Sequence, residues 1–253
     1  MTATYDVDFF THIRAGAQRS ARALCKLIYG HLHPDSVLDV GCGDGTWLLG
    51  WRELGVADFL GVDGSYVEGG PLLIESHRFR AVDLSQPLRL GRRFALVQSL
   101  EVAEHLARGV AAEFVDSLTR HSDQVLFSAA PPGQFGNDHL NERPYEYWRR
   151  QFGARGYDCF DVVRPALARV EGVDPWYRYN TFLYVSRGSA DGLPPEVVSA
   201  RVPDEVELTD SAPLAWRLRK ALFRMLPTSG GTALARMSTR WSALLRRLQA
   251  LRH

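Results

Sequence analysis

Cysteine is scarce: Cys25, Cys42 and Cys159 are the only three in 253 residues, and no two are closely spaced. That excludes a zinc module or a disulfide scaffold and agrees with a reducing, cytoplasmic setting. No uninterrupted apolar run approaches the roughly 20 residues of a membrane-crossing helix. The start, Met1 to Asp6, lacks the charged-then-apolar pattern of a signal peptide. There is no internal repeat, no Gly-Lys-Ser/Thr phosphate loop and no G-x-G-x-x-G fingerprint. Charge imbalance is also missing, because the net charge is +1. The first 187 residues carry no evident basic stripe, so nucleic acid is not expected as a partner. One absence is local: no acid follows Asp210.

What is present is a hydrophobic fraction of 45% in a chain long enough to bury a sizeable core, which predicts one α/β domain with appendages. The densest signal is Val37-Leu38-Asp39-Val40-Gly41-Cys42-Gly43-Asp44-Gly45-Thr46. Residues 36–40 are short and apolar, as in a buried parallel strand. Glycines at 41, 43 and 45 allow a tight turn and close approach of backbone to a ligand. Residues 47–55 read as a helix ending at Gly55. Asp39 and Asp44 make the turn acidic, with no basic residue near, which suits a cationic ligand better than a pyrophosphate.

Acids recur at strand ends. Residues 58–64 form a second apolar strand ending at Asp63-Gly64, about 18 positions after Gly45. A carboxylate there can accept both hydroxyls of a ribose; capping the next turn is the plainer role. Residues 79–84 form a third strand with Asp83-Leu84 at its end. The fourth, 94–99, runs into Ser99-Leu100-Glu101-Val102-Ala103-Glu104-His105. If helical, Glu101, Glu104 and His105 share one face. The fifth, 124–130, stops at Pro131-Pro132. A polar loop carrying His139 follows, long enough to be functional, then a helix from Tyr145. Final strands are expected at 157–163 and 181–185, flanking Trp176-Tyr177-Arg178-Tyr179-Asn180.

The ten residues from Val37 resemble the first motif of class I S-adenosylmethionine-dependent methyltransferases. The resemblance runs from Tyr5 to Val185. It implies a doubly wound, Rossmann-like α/β sheet of seven strands with strand 7 antiparallel. It implies a cofactor, S-adenosyl-L-methionine, held by Asp39, Gly41, Gly43, Asp63, Gly64, Asp83, Leu84, Ser99 and Leu100. Asp63 then takes the adenosyl ribose, Asp83 the adenine amine, and Leu84 offers a backbone donor to the ring. Ala95 stands where many members carry an acid, a departure of little consequence for small-molecule enzymes. The apolar pattern over 8–32 predicts an N-terminal helix that either covers the sheet or closes as a lid, with Tyr5, Phe9 and Arg14 as contacts.

Methyl transfer is an in-line displacement that often needs a base. His139, His105 and Tyr177 are the catalytic candidates, with Tyr145 and Tyr179 as further pocket lining. Glu101, Glu104, His105 and His139 also resemble the metal set of small-RNA 2′-O-methyltransferases, which implies Mg²⁺ or Mn²⁺. The expected activity is methylation of a hydroxyl or amine on a small molecule of natural-product or sugar biosynthesis. The alternatives are cyclisation of the cofactor's aminobutyryl chain or another ring closure, a metal-assisted 2′-O-methyltransferase, and a non-catalytic partner-binding protein.

The chain divides into a catalytic part (1–187), a Gly/Pro/Ser-rich linker (188–210) and a tail (211–253). The tail holds nine Lys and Arg, with apolar residues at helical spacing from Trp216 and again from Leu234. It reads as a basic amphipathic helical extension. Three fates stay open: packing on this chain or on a second copy, a peripheral membrane or acidic-partner contact, or disorder.

Overall fold

Apolar residues alternate between the two faces of each strand, and that alternation builds a three-layer sandwich. The computed structural model describes residues 7–68, 70–136 and 138–224. Tyr5, the side chains of Phe9 and Arg14, and the segment from Leu234 lie outside the described residues. The strands are β1 (Ser36–Val40), β2 (Asp58–Asp63), β3 (Phe79–Ala81), β4 (Leu96–Leu100), β5 (Gln124–Ser128), β6 (Tyr157–Phe160) and β7 (Phe182–Ser186). They form one sheet in the order β3-β2-β1-β4-β5-β7-β6. β7 runs antiparallel between β5 and β6, and β1 to β5 are parallel.

Val37, Phe59, Leu96, Leu126 and Leu183 face one layer, where they meet Leu24, Cys25 and Ile28 of α1 (Val7–Leu32) and Leu48 and Trp51 of α2 (Thr46–Glu53). Leu38, Val62, Val97, Val125 and Phe182 face the other, against Phe114 and Leu118 of α3 (Ala111–His121) and Trp148 and Phe152 of α4 (Tyr145–Gly153). Period-two alternation with both faces covered is what buried parallel strands require. α1 therefore covers the sheet over its described side chains. On its layer also lie Val163 and Leu167 of α5 (Val163–Leu167), and next to it in sequence comes α6 (Pro175–Asn180).

A doubly wound sheet carries helices in its crossovers, but not all crossovers among the first five strands do so here. β2 and β3 are joined by two short 3-10 turns, and β3 and β4 by a stretch without a helix. Pro71, Pro87 and Gly91 interrupt any helical run there. The 188–210 stretch, read above as a linker, lies along β6. Leu193 and Val197 of α7 (Pro195–Val198) and its approach are buried, and the Val202 amide donates to the Cys159 carbonyl at 2.8 Å. α8 (Leu214–Arg224) ends the described chain. Among the described residues no helix is long and apolar enough to cross a membrane.

Candidate active site

The carboxyl ends of β1, β2 and β4 meet around the glycine loop. The amides of Gly41 and Cys42 donate to the Val62 carbonyl at 2.8 and 3.2 Å, tying the loop to β2. Gly41 has φ +86°, and a Cβ built there would come within 2.3 Å of the Val102 side chain. Only glycine fits, so the loop lies directly against the 101–105 segment. Gly43 has φ +52° but open space where its Cβ would be. Its glycine serves backbone conformation and leaves a face that a ligand can approach.

Asp63 holds this loop from below. Its carboxylate accepts from the Gly43 amide at 2.7 Å, the Gly64 amide at 2.7 Å and the Tyr66 hydroxyl. Gly64 has no side chain, and the Tyr66 ring lies across it. Tyr66 is otherwise 79% exposed. A ribose diol can displace its hydroxyl from Asp63 with little packing lost. Tyr66 was not foreseen from sequence, because an exposed tyrosine three residues past an acid carries no pattern of its own.

Two polar atoms on adjacent strands, one on each face of the sheet, have no partner. Asp39 Oδ2 and Ser99 Oγ are buried without a hydrogen bond, one at the end of β1 and the other on adjacent β4. Buried polar atoms are nearly always satisfied, so Asp39 Oδ2, next to the glycine loop, fits a polar ligand there. Burial, with the Asp63 charge adding and Gln98 opposing, pushes the Asp39 carboxyl up to about 8. A carboxyl raised in the folded state gives stability that is full below its ordinary value and lost as pH rises through the raised one. The free protein should therefore lose up to roughly 1.4 kcal/mol per unit between about pH 4 and pH 8. Thermal melts across that range check this, and Asp39→Asn should flatten the Asp39 part of the slope. Cys42 lies in the same loop, but burial raises its thiol, so it is no nucleophile.

Asp83 lies just past β3, exposed. It accepts from the amide and hydroxyl of Ser85 at 2.9 and 2.6 Å, which hold it below the usual carboxylate range. It is thus an ionised acceptor at the rim, beside half-buried Leu84. Leu100, the last residue of β4, is buried.

The opposite wall differs in detail from the expected helix face. Ala103–His105 form a 3-10 turn, and Glu101 takes φ +58°, a left-handed conformation rare for a side-chain-bearing residue. Glu101 stands beside Glu104 but is not among the residues whose ligand atoms converge. It accepts from Gln134 Nε2 at 2.5 Å and Asn180 Nδ2 at 3.2 Å, and Tyr145 donates to Asn180 Oδ1 at 2.8 Å. Glu101 and Tyr145 thus knit β4, α4 and α6 together. Glu104, His105 and His139 do come together, with one potential ligand atom from each within 4.8 Å of the others. Glu104 is fully buried, and neither carboxylate oxygen has a donor. Burial first, then the Glu101 charge, hold it well above the usual carboxylate range.

Glu142 sets the loop that delivers His139. It accepts from the amides of Gly133 and Phe135 at 2.8 and 2.7 Å and lies 2.8 Å from His139 Nδ1. The amides of Leu140 and Asn141 donate to the Glu104 carbonyl at 2.8 and 2.9 Å. In the tautomer that donates from Nδ1 to Glu142, the ring's lone pair is on Nε2. The sequence signal for Glu142 was its spacing three after His139. The His105 and His139 rings meet edge-on at 4.9 Å. Desolvation first, and then His139, keep His105 below its ordinary value. Tyr177 packs its ring 4.7 Å from Trp47, and burial raises its phenol, so it can donate a hydrogen bond but not act as a base. Tyr179 is buried.

No curated protein matches the sequence. Solved structures share the fold. Magnesium protoporphyrin IX methyltransferase (ChlM) from Synechocystis, with bound SAH, is 19% identical with a TM-score of 0.50, covering 74% of this chain and 90% of that one. DesVI of Streptomyces venezuelae is 17% identical with a TM-score of 0.53, covering 72% and 100%. CalS10, an amino pentose methyltransferase from Micromonospora echinaspora with bound SAM, is 15% identical with a TM-score of 0.52, covering 73% and 98%. A methyltransferase domain family matches residues 12–152. That match takes in the glycine loop, both acidic strand ends and the His139 loop, more than half of the sequence, and the chain belongs to this methyltransferase family, with the class I fold.

Proposed function

We propose that the chain transfers a methyl group from S-adenosylmethionine to a hydroxyl or amine of a small molecule. The observation that carries this is the contact of two half-sites. Val102 packs on Gly41, so the cradle of Gly43 and Asp63 directly adjoins the cluster of Glu104, His105 and His139. The cofactor supplies an electrophilic methyl on a sulfonium. Asp63 accepts the ribose diol in place of Tyr66. Asp83 and Leu84 flank the adenine, with Gly64 and Leu100 lining the way to it. Asp39 offers its unpartnered oxygen to the methionine end, with Ser99 at the end of the adjacent strand. Across the cleft, His139 Nε2 takes the proton of the acceptor, while Glu142 holds the ring in place. The acceptor class follows CalS10, whose substrate is an amino pentose.

A second reading of the same wall has its own support. Glu104 has two donor-less oxygens in a dry setting, and two imidazoles stand beside it. Oxygen and nitrogen donors in that combination suit Mg²⁺ or Mn²⁺. Held there by Glu104, His105 and His139, such an ion would lower the pKa of a bound hydroxyl. Glu101, bound to Gln134 and Asn180, supports this set rather than joining it. One assay separates the readings. Incubation with an aminosugar panel and mass spectrometry should yield S-adenosylhomocysteine and an acceptor heavier by one methylene. Methylthioadenosine instead would sink methyl transfer in favour of cyclisation. Loss of turnover in chelator, restored by Mn²⁺, supports the ion; full turnover in chelator leaves His139 acting alone.

A further inference from the structure

α8 turns three leucines to solvent. Leu214, Leu218 and Leu222 are 66%, 60% and 63% exposed. They recur every fourth residue and so form one stripe along the helix. Single exposed leucines need no explanation, but a contiguous stripe on an anchored helix does. The anchoring is specific. Lys220, on the opposite side, is buried and ion-paired with Asp210. A Cβ on Gly133 would meet the Lys220 carbonyl oxygen at 2.4 Å, so α8 rests on the loop that carries His139. The leucines face outward because the lysine side is fixed inward.

Charge decides what covers them. Arg217 and Arg224 are exposed on this helix, and the chain after Asp210 holds nine cations and no anion. Folding residues 225–253 back on α8, or pairing α8 with a second copy, would set cations against cations. A surface that is apolar inside and anionic outside complements both features. We infer that α8 is a docking surface for an anionic lipid bilayer, with its leucines in the acyl boundary and its arginines at the headgroups. If the proposed methyl transfer holds, the acceptor is then an amphiphile presented at the bilayer.

The test is sedimentation of the full chain with vesicles of phosphatidylcholine alone or with a quarter of phosphatidylglycerol, at low salt. Pelleting with the anionic vesicles only is expected. The double variant L218E/L222E should bind them at least about tenfold more weakly, with an unchanged melting temperature. No pelleting with either vesicle overturns the inference. Equal pelleting of variant and wild type also overturns it, and assigns any lipid binding to residues 225–253. So does a wild-type dimer that the variant splits while vesicle binding persists, which assigns the stripe to a second copy. Binding is read without turnover, so failure here leaves the methyltransferase assignment standing.

Discussion

Asp63→Ala is expected to abolish the rise in melting temperature that S-adenosylhomocysteine gives the wild-type chain. Two effects combine. The substitution removes a charged acceptor for two ribose hydroxyls, and hydrogen bonds to charged groups contribute about 1.5–3 kcal/mol each. It also strips the Gly43 and Gly64 amides of their acceptor, so the loop loses the shape that admits the ligand. Together these weaken binding by on the order of 10² to 10⁴-fold. Orphaning two amides destabilises the free protein by about 1–3 kcal/mol. Tyr66→Phe works in the opposite direction. It removes the internal competitor for Asp63 and should tighten binding a few-fold. A structural role for Asp63 alone would predict the first loss but not this gain.

Glu104→Gln is the second large effect, and its two readouts should move in opposite directions. Turnover should fall by on the order of 10² to 10⁴-fold, as for loss of a proton-handling or metal-holding group. Stability of the free protein should rise. Glu104 is a buried carboxyl without a hydrogen-bond donor, beside Glu101. Where the pH ionises Glu104, an uncharged amide of the same shape relieves that repulsion and can donate to the neighbouring carboxylate. A gain of about 1–3 kcal/mol corresponds to a rise of several degrees in a chain of this size. Measuring melting temperature and single-turnover rate on one preparation checks both. A drop in both would make Glu104 a fold-holding residue. Strain retained where function needs it is the common origin of this trade-off.

The fold is most legible in the chain where local chemistry leaves one solution. The strand–glycine–helix unit at 36–53 needs short apolar runs, small residues and an acid, and each is explicit in the chain. The pairing of His139 with Glu104 and His105 was legible as residue types but not as geometry. Helical spacing put Glu101 in that set, yet at a left-handed turn it bonds Gln134 and Asn180 and stands beside Glu104 without joining the converging atoms. No local pattern announces such a turn, because the contacts that enforce it come from residues 33 and 79 positions away. Tyr66 was invisible for a similar reason: its partner is set by the missing side chain of Gly64. Composition misled once. Gly, Pro and Ser over 188–203 read as a linker, but Pro195 starts a short helix, and Leu193 and Val197, four apart, bury against the sheet.

The fold and the family say what kind of ligand this loop serves, and the loop itself can be asked directly. Calorimetric titration of the wild-type chain with S-adenosylhomocysteine should give one molecule bound per chain, and the same titration of Asp63→Ala should give no heat. Absence of binding to the wild-type chain, or equal binding to Asp63→Ala, would contradict the account.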